Sequence, residues 1–169
     1  MLVTIIADAS FCQDTRTAGY GFWVASERGK LQGGGPMKRP VKTSVLAEAK
    51  AVCIALNAAV RAGLVVEGDE VLLQTDCFPA IHLLQQVGGP RELEVKEVQE
   101  FFTNLQARVG IRTRLKYVKG HTNNKDARSV CNAHCDRRAK KGLAQAREIH
   151  NQLKEIPNDS TQVSLSDHR

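Results

Sequence analysis

Apolar and polar positions along this chain alternate in blocks whose period changes between two and three-to-four. Residues 2–7 are an apolar, β-branched run ending on Asp8, which predicts a buried strand with a carboxylate at its tip. Residues 11–18 are polar and turn-like. Residues 20–26 and 30–35 read as two strands around the Glu27-Arg28-Gly29 turn, so a hairpin follows the first strand. Beyond Pro36 and Pro40, the positions Leu46, Ala49, Cys53, Leu56 and Val60 step by three and four. That spacing predicts a helix capped by Thr43 or Ser44 and reaching about Ala62, with Gly63 as its stop. Residues 70–75 form the next strand, and it too ends on an aspartate, Asp76. Helical stretches follow over 78–87 and 93–109, parted by Gly88-Gly89-Pro90. Then Ile111, Thr113, Leu115 and Tyr117 alternate with Arg112, Arg114 and Lys116, a half-exposed strand with a basic outer face. Residues 120–128 read as loop and 129–141 as a basic helix closed by Gly142, with a weaker helical segment over 143–155 and a polar tail from Pro157. The order βββαβααβα describes an α/β domain with a mixed sheet.

Length and composition narrow this picture. The 169 residues suit one domain. The five cysteines (Cys12, Cys53, Cys77, Cys131, Cys135) form no CxxC pair and read as reduced thiols, Cys53 as a small core hydrophobe. Asp8 interrupts the apolar start with no basic stretch before it, and the run 51–60 is about half the ~20 residues a membrane span requires. The expectation is an intracellular, cytoplasmic monomer without a membrane partner. Charge is uneven: residues 112–147 hold 11 basic side chains against Asp126 and Asp136, while the whole chain is only +6. A basic stretch on a mildly acidic body fits either a solvated helix or a polyanion partner, nucleic acid first among them.

The chemical signal is carried by carboxylates. If the first and fourth strands are parallel neighbours, Asp8 and Asp76 stand side by side at their carboxyl ends, where open α/β sheets place ligands. Glu48 sits among helix residues expected to face the sheet. A carboxylate there is costly unless compensated, and a divalent cation is one compensation. Oxygen-only ligands suit Mg²⁺ or Mn²⁺ rather than zinc. Cys131, His134 and Cys135 share a helical face but lack a fourth ligand for zinc. The cluster Arg137, Arg138, Lys140 and Lys141 directly after Asp136 is either a solvated face or a phosphate contact.

Taken in order, Asp8-Ala9-Ser10, Gly19-Tyr20-Gly21, Ser44-Val45-Leu46-Ala47-Glu48, Thr75-Asp76, Lys119-Gly120-His121 and Asn132 with Cys135-Asp136 resemble the type 1 ribonuclease H family, in its reverse-transcriptase-like, plant-type form. The resemblance covers about residues 2–142, and residues 143–169 are read as a C-terminal helix and polar tail. It implies a ribonuclease H-like fold: a five-stranded mixed sheet, strands one to three antiparallel, with helices on both faces. It also implies two Mg²⁺ ions held by Asp8, Glu48, Asp76 and Asp136, with Mn²⁺ a possible substitute. One ion would activate water and the other would stabilise the departing 3′ oxygen. His121 would assist proton transfer or product release, and Ser10, Ser44, Lys119, Asn132 and Arg137 would bind substrate. The implied partner is an RNA/DNA hybrid whose RNA strand is cut to 5′-phosphate and 3′-hydroxyl ends. Departures from the family pattern are Ala9 in place of glycine, residues 12–17 in place of a glycine-rich turn, and Ser44-Val45 in place of a polar pair. Two rival readings stand beside this one: a same-fold nuclease acting on structured RNA, DNA or junctions, and a non-catalytic nucleic-acid-binding domain.

Overall fold

In the computed structural model, which describes residues 1–86, 92–119 and 126–155, the chain forms nine elements in the expected order. They are β1 (Leu2–Cys12), β2 (Thr17–Ser26), β3 (Gly29–Pro36), α1 (Ser44–Arg61), β4 (Glu70–Thr75), α2 (Phe78–Gln85), α3 (Leu93–Val109), β5 (Arg112–Tyr117) and α4 (Ala127–Glu155). The strands make one mixed sheet ordered β3-β2-β1-β4-β5. β1 pairs antiparallel with β2 and β2 with β3, while β4 runs parallel to both β1 and β5. No helix among the described residues is long and apolar enough to cross a membrane.

Two layers of helix cover the sheet. α1 buries Leu46, Ala49, Val52, Cys53, Leu56 and Ala59 against Val3, Ile5, Val24, Val71 and Leu73 of the sheet. Its start is fixed by the Thr43 hydroxyl, which accepts from the Leu46 N–H at 3.2 Å and satisfies one of the helix's free donors. Burial pushes the Cys53 thiol up to about 12, so it behaves as a small apolar side chain. α3 packs on α1 through Val98, Phe102 and Leu105. At the end of the sheet where β4 begins, Arg28 donates to both oxygens of buried Asp69, at 2.6 and 3.1 Å, and the Val66 N–H adds a third bond at 2.9 Å. The clasp ties the β2–β3 turn to the entry of β4.

α4 covers the opposite face and approaches it unusually closely. A Cβ added at Gly142 would lie 2.2 Å from the Gly35 carbonyl oxygen, and one at Gly19 would lie 2.1 Å from the Leu143 nitrogen. Gly21 is similarly crowded by the Cys135 carbonyl, 2.1 Å away. Backbone therefore rests on backbone along this seam, a separation that no side chain larger than hydrogen permits.

Two expectations are corrected here. The helix expected to close at Gly142 runs through it to Glu155, because that glycine serves a buried crossing rather than a C-cap. Half of the stretch 11–18, expected as turn, belongs to longer strands: β1 continues to Cys12 and β2 begins at Thr17. Only Gln13 to Arg16 turn the chain, with Arg16 in the left-handed region at φ 53°. The remaining helix and strand bounds agree with expectation to within two residues. Gly88-Gly89-Pro90, residues 120–125 and the tail beyond 155 lie outside the described residues.

Candidate active site

Register places the first two acids. β1 and β4 are paired from Leu2↔Glu70 to Ile6↔Gln74, and two further residues along each strand bring Asp8 level with Asp76. α1 crosses above them and contributes Glu48 from a turn otherwise buried at Leu46, Ala47 and Ala49. One carboxylate oxygen from each of Asp8, Glu48 and Asp76 lies within 4.8 Å of the others. Buried Thr75 supports the cluster from beneath: its hydroxyl accepts from the Cys77 N–H at 3.2 Å and faces the Glu48 carboxylate at 3.5 Å. The Ala9 N–H donates to Asp8 at 2.9 Å.

The electrostatics follow from this crowding. Burial, then the negative charges of Asp76 and Asp136, push the Asp8 carboxyl up to about 7. Burial, then Asp8 and Asp76, push Glu48 up to about 9. Such a set cannot hold its full negative charge at neutral pH without a positive partner. The donor set consists of hard oxygens, half-buried and converging, and fits a divalent cation such as Mg²⁺ or Mn²⁺.

Asp136 sits on α4, one turn after Asn132. It stands outside the three-oxygen cluster, and its Oδ2 accepts from Lys140 Nζ at 2.8 Å. Its charge is nevertheless felt at Asp8. Ser44 lines the same cleft as Glu48 and Asp76. Ser10 follows Asp8 on β1, and Lys119 and Arg137 are exposed. Asn132 differs from an open substrate contact: it is 7% exposed, in line with buried Cys135 and Ala139, and its Oδ1 has no partner. His121 lies outside the described residues. Of the basic cluster, Arg138 is held by His134 Nε2 at 2.6 Å and Gln32 at 3.1 Å, and Lys140 by Asp136. The same Arg138 bond, with the edge-on contact to Trp23, occupies His134, and the Cys135 thiol donates to the Ile6 carbonyl. These side chains do not converge on a zinc site.

The family model for RNase H matches residues 2–144. This chain belongs to the RNase H family. Membership supports a nuclease, a hydrolase acting on RNA/DNA hybrids, in a family that generally uses divalent metals. Three solved structures share the fold. The N-terminal RNase H domain of a Mycobacterium tuberculosis protein, solved as a fusion with maltose binding protein, is 18% identical with TM-score 0.66, over 88% of this chain and 97% of that one. RNase H1 from the halophilic archaeon Halobacterium salinarum is 19% identical with TM-score 0.65, over 86% and 100%. LC11-RNase H1, solved in complex with RNA/DNA hybrid, is 17% identical with TM-score 0.65, over 86% and 99%. No curated protein sequence matches this chain. Sequence reasoning missed Phe78 and Tyr117, which wall the cleft beside the acids. Their signal was position alone: each closes or follows a strand at the edge where Asp76 emerges.

Proposed function

We propose that this RNase H family member is an endonuclease that cuts the RNA strand of RNA/DNA hybrids by hydrolysis assisted by two Mg²⁺ ions, leaving 5′-phosphate and 3′-hydroxyl ends. The observation carrying this reading is the convergence of Asp8, Glu48 and Asp76 within 4.8 Å at the carboxyl ends of β1 and β4. When bound, two dications supply water activation and stabilisation of the leaving 3′ oxygen. Asp8, Glu48 and Asp76 hold the ions, and Asp136 completes the second site from α4. Thr75 positions Glu48 through its hydroxyl. His121 moves a proton at the leaving group, while Ser10, Ser44, Lys119 and Arg137 contact the substrate. Asn132, expected to bind substrate, would act from the buried side of α4. The basic stretch 112–147 offsets the repulsion between four acids and a phosphate backbone.

A second reading, a same-fold nuclease for structured RNA, DNA or junctions, is favoured by one observation. Val45, where a groove-reading polar side chain is expected, packs instead against the hydrophobic core. Labelled RNA/DNA hybrid, double-stranded RNA and double-stranded DNA, each incubated with Mg²⁺, Mn²⁺ or EDTA, separate the possibilities. Mg²⁺-dependent cleavage confined to the hybrid and lost in Asp76→Asn supports the first reading. Binding without cleavage under every metal condition refutes the nuclease assignment.

A further inference from the structure

Beside the acids stands an aromatic corner that the chemistry of phosphodiester hydrolysis does not require. Phe78 is the first residue of α2, two positions after Asp76, and Tyr117 is the last residue of β5, paired in register with Thr75. The strand order thus brings both rings to the carboxyl ends of β4 and β5, where Asp76 emerges. The two rings meet edge to face, 6.3 Å between centroids, and His82 packs edge-on against Phe78 at 4.6 Å. The corner is held from α2 and from β5, yet Phe78 remains 55% and Tyr117 47% exposed. Both rings line a cleft of about 520 Å³ with Ser44, Glu48, Asp76 and Pro79. That volume lies in the range that takes one small-molecule-sized unit.

Exposed rings meeting at a right angle offer one flat face and one adjoining wall. Nucleobases are the part of a nucleic acid that such a surface recognises, since every base has a π-face and stacking requires no particular base edge. Bases inside a continuous duplex already stack on both neighbours, so their faces are unavailable. A base becomes available where the duplex ends, is nicked or carries an unpaired nucleotide.

We propose that Phe78 and Tyr117 form a stacking platform for an unpaired nucleobase beside the cut site, so that this chain prefers hybrids carrying a discontinuity over continuous ones. The inference rests on the nuclease reading above and names the form of substrate that its cleft takes. The contact is apolar and acts on base faces, so the preference is independent of base identity.

The test uses the full chain and three hybrids of one sequence: continuous, nicked, and with one unpaired nucleotide carried as 2-aminopurine. Wild type is expected to cleave next to the discontinuity with kcat/KM roughly tenfold above the continuous hybrid, since stacking on one aromatic side chain is worth about that or more. In EDTA, binding is expected to quench the 2-aminopurine fluorescence. Phe78→Leu and Tyr117→Leu should each bring the cleavage ratio towards one and weaken the quenching, whereas Phe78→Trp retains both. The ratio is internal to each variant, so a general loss of active protein does not imitate the effect. A wild-type ratio of one, or a ratio unchanged in both leucine variants, overturns the proposal while leaving the nuclease reading intact. Failure to cleave any hybrid refutes the nuclease reading, and the quenching in EDTA still decides whether the platform exists.

Discussion

Replacing Gly142 with alanine tests the seam between α4 and the sheet, and the expected sign is opposite to that of the same change elsewhere in a helix. In an exposed helix interior, glycine to alanine stabilises by about 1 kcal/mol. Here the new methyl would sit 2.2 Å from the Gly35 carbonyl oxygen, 2.5 Å from its carbon and 3.1 Å from its Cα. All three atoms are backbone of β3 and cannot rotate away. Ordinary contact requires α4 to retreat by roughly 1 Å, and overpacking of that kind costs about 1–3 kcal/mol or more. Retreat also loosens the close approaches at Gly19 and Gly21, which moves the estimate to the upper end. Subtracting the propensity gain leaves a net loss of about 2 kcal/mol, or roughly 4–8 °C in Tm for a chain of this length. Ala144→Gly, at an exposed position two residues further along the helix, measures propensity alone and should cost about 1 kcal/mol. Urea denaturation of both variants gives the two numbers. A Gly142→Ala protein as stable as wild type, or more so, would refute the argument that backbone contact sets the position of α4. The same retreat withdraws Asp136 from Asp8, so cleavage should fall in Gly142→Ala and remain near wild type in Ala144→Gly.

Three further outcomes are expected. Asp76→Asn should lower kcat at least about a hundredfold in Mg²⁺ with its circular dichroism unchanged, because it removes one of three converging donors. In EDTA, wild-type stability should decline as pH rises from about 4.5 towards 9, since folded Glu48, raised to about 9, retains a proton that the unfolded chain releases. Glu48→Gln should reduce that slope, leaving the part due to Asp8, which is raised to about 7, and should melt higher than wild type at pH 8 by calorimetry. Asp69 has the opposite sign: hydrogen bonds from Arg28 hold its carboxyl well below the usual range, so its contribution is present above about pH 4 and lost on acidification. Arg28→Leu should flatten the acid limb of a pH–stability curve, and an unchanged limb would show that the clasp does not stabilise the fold.

The parts of this molecule legible in the sequence are those in which one face is apolar and the other polar. β4 was readable to the residue because it is a short apolar run bounded by charge, and α1 because five of its apolar positions keep helical spacing. The pairing of Asp8 with Asp76 followed once β1 and β4 were taken as parallel neighbours. The end of β1 was not readable, because Ser10 and Cys12 carry polar side chains on a half-exposed strand and Gln13 to Arg16 blur where it stops. Gly142 misled for a different reason. Glycine marks a helix end when it supplies a left-handed cap, and marks a close crossing when it removes a side chain, and local sequence does not separate the two. The aromatic corner was invisible because it joins residues 78 and 117, brought together only by the β4–β5 register.

The four acids lie on β1, α1, the residue directly after β4, and α4, across positions 8 to 136. No contiguous fragment short of nearly the whole domain carries a complete ligand set, and a chain still being synthesised lacks the fourth acid until most of its length exists. On the proposed reading, a cation held there would bind the assembled fold alone and would draw the folding equilibrium towards the native state by mass action. Metal-dependent stabilisation would thereby report on the integrity of the entire domain.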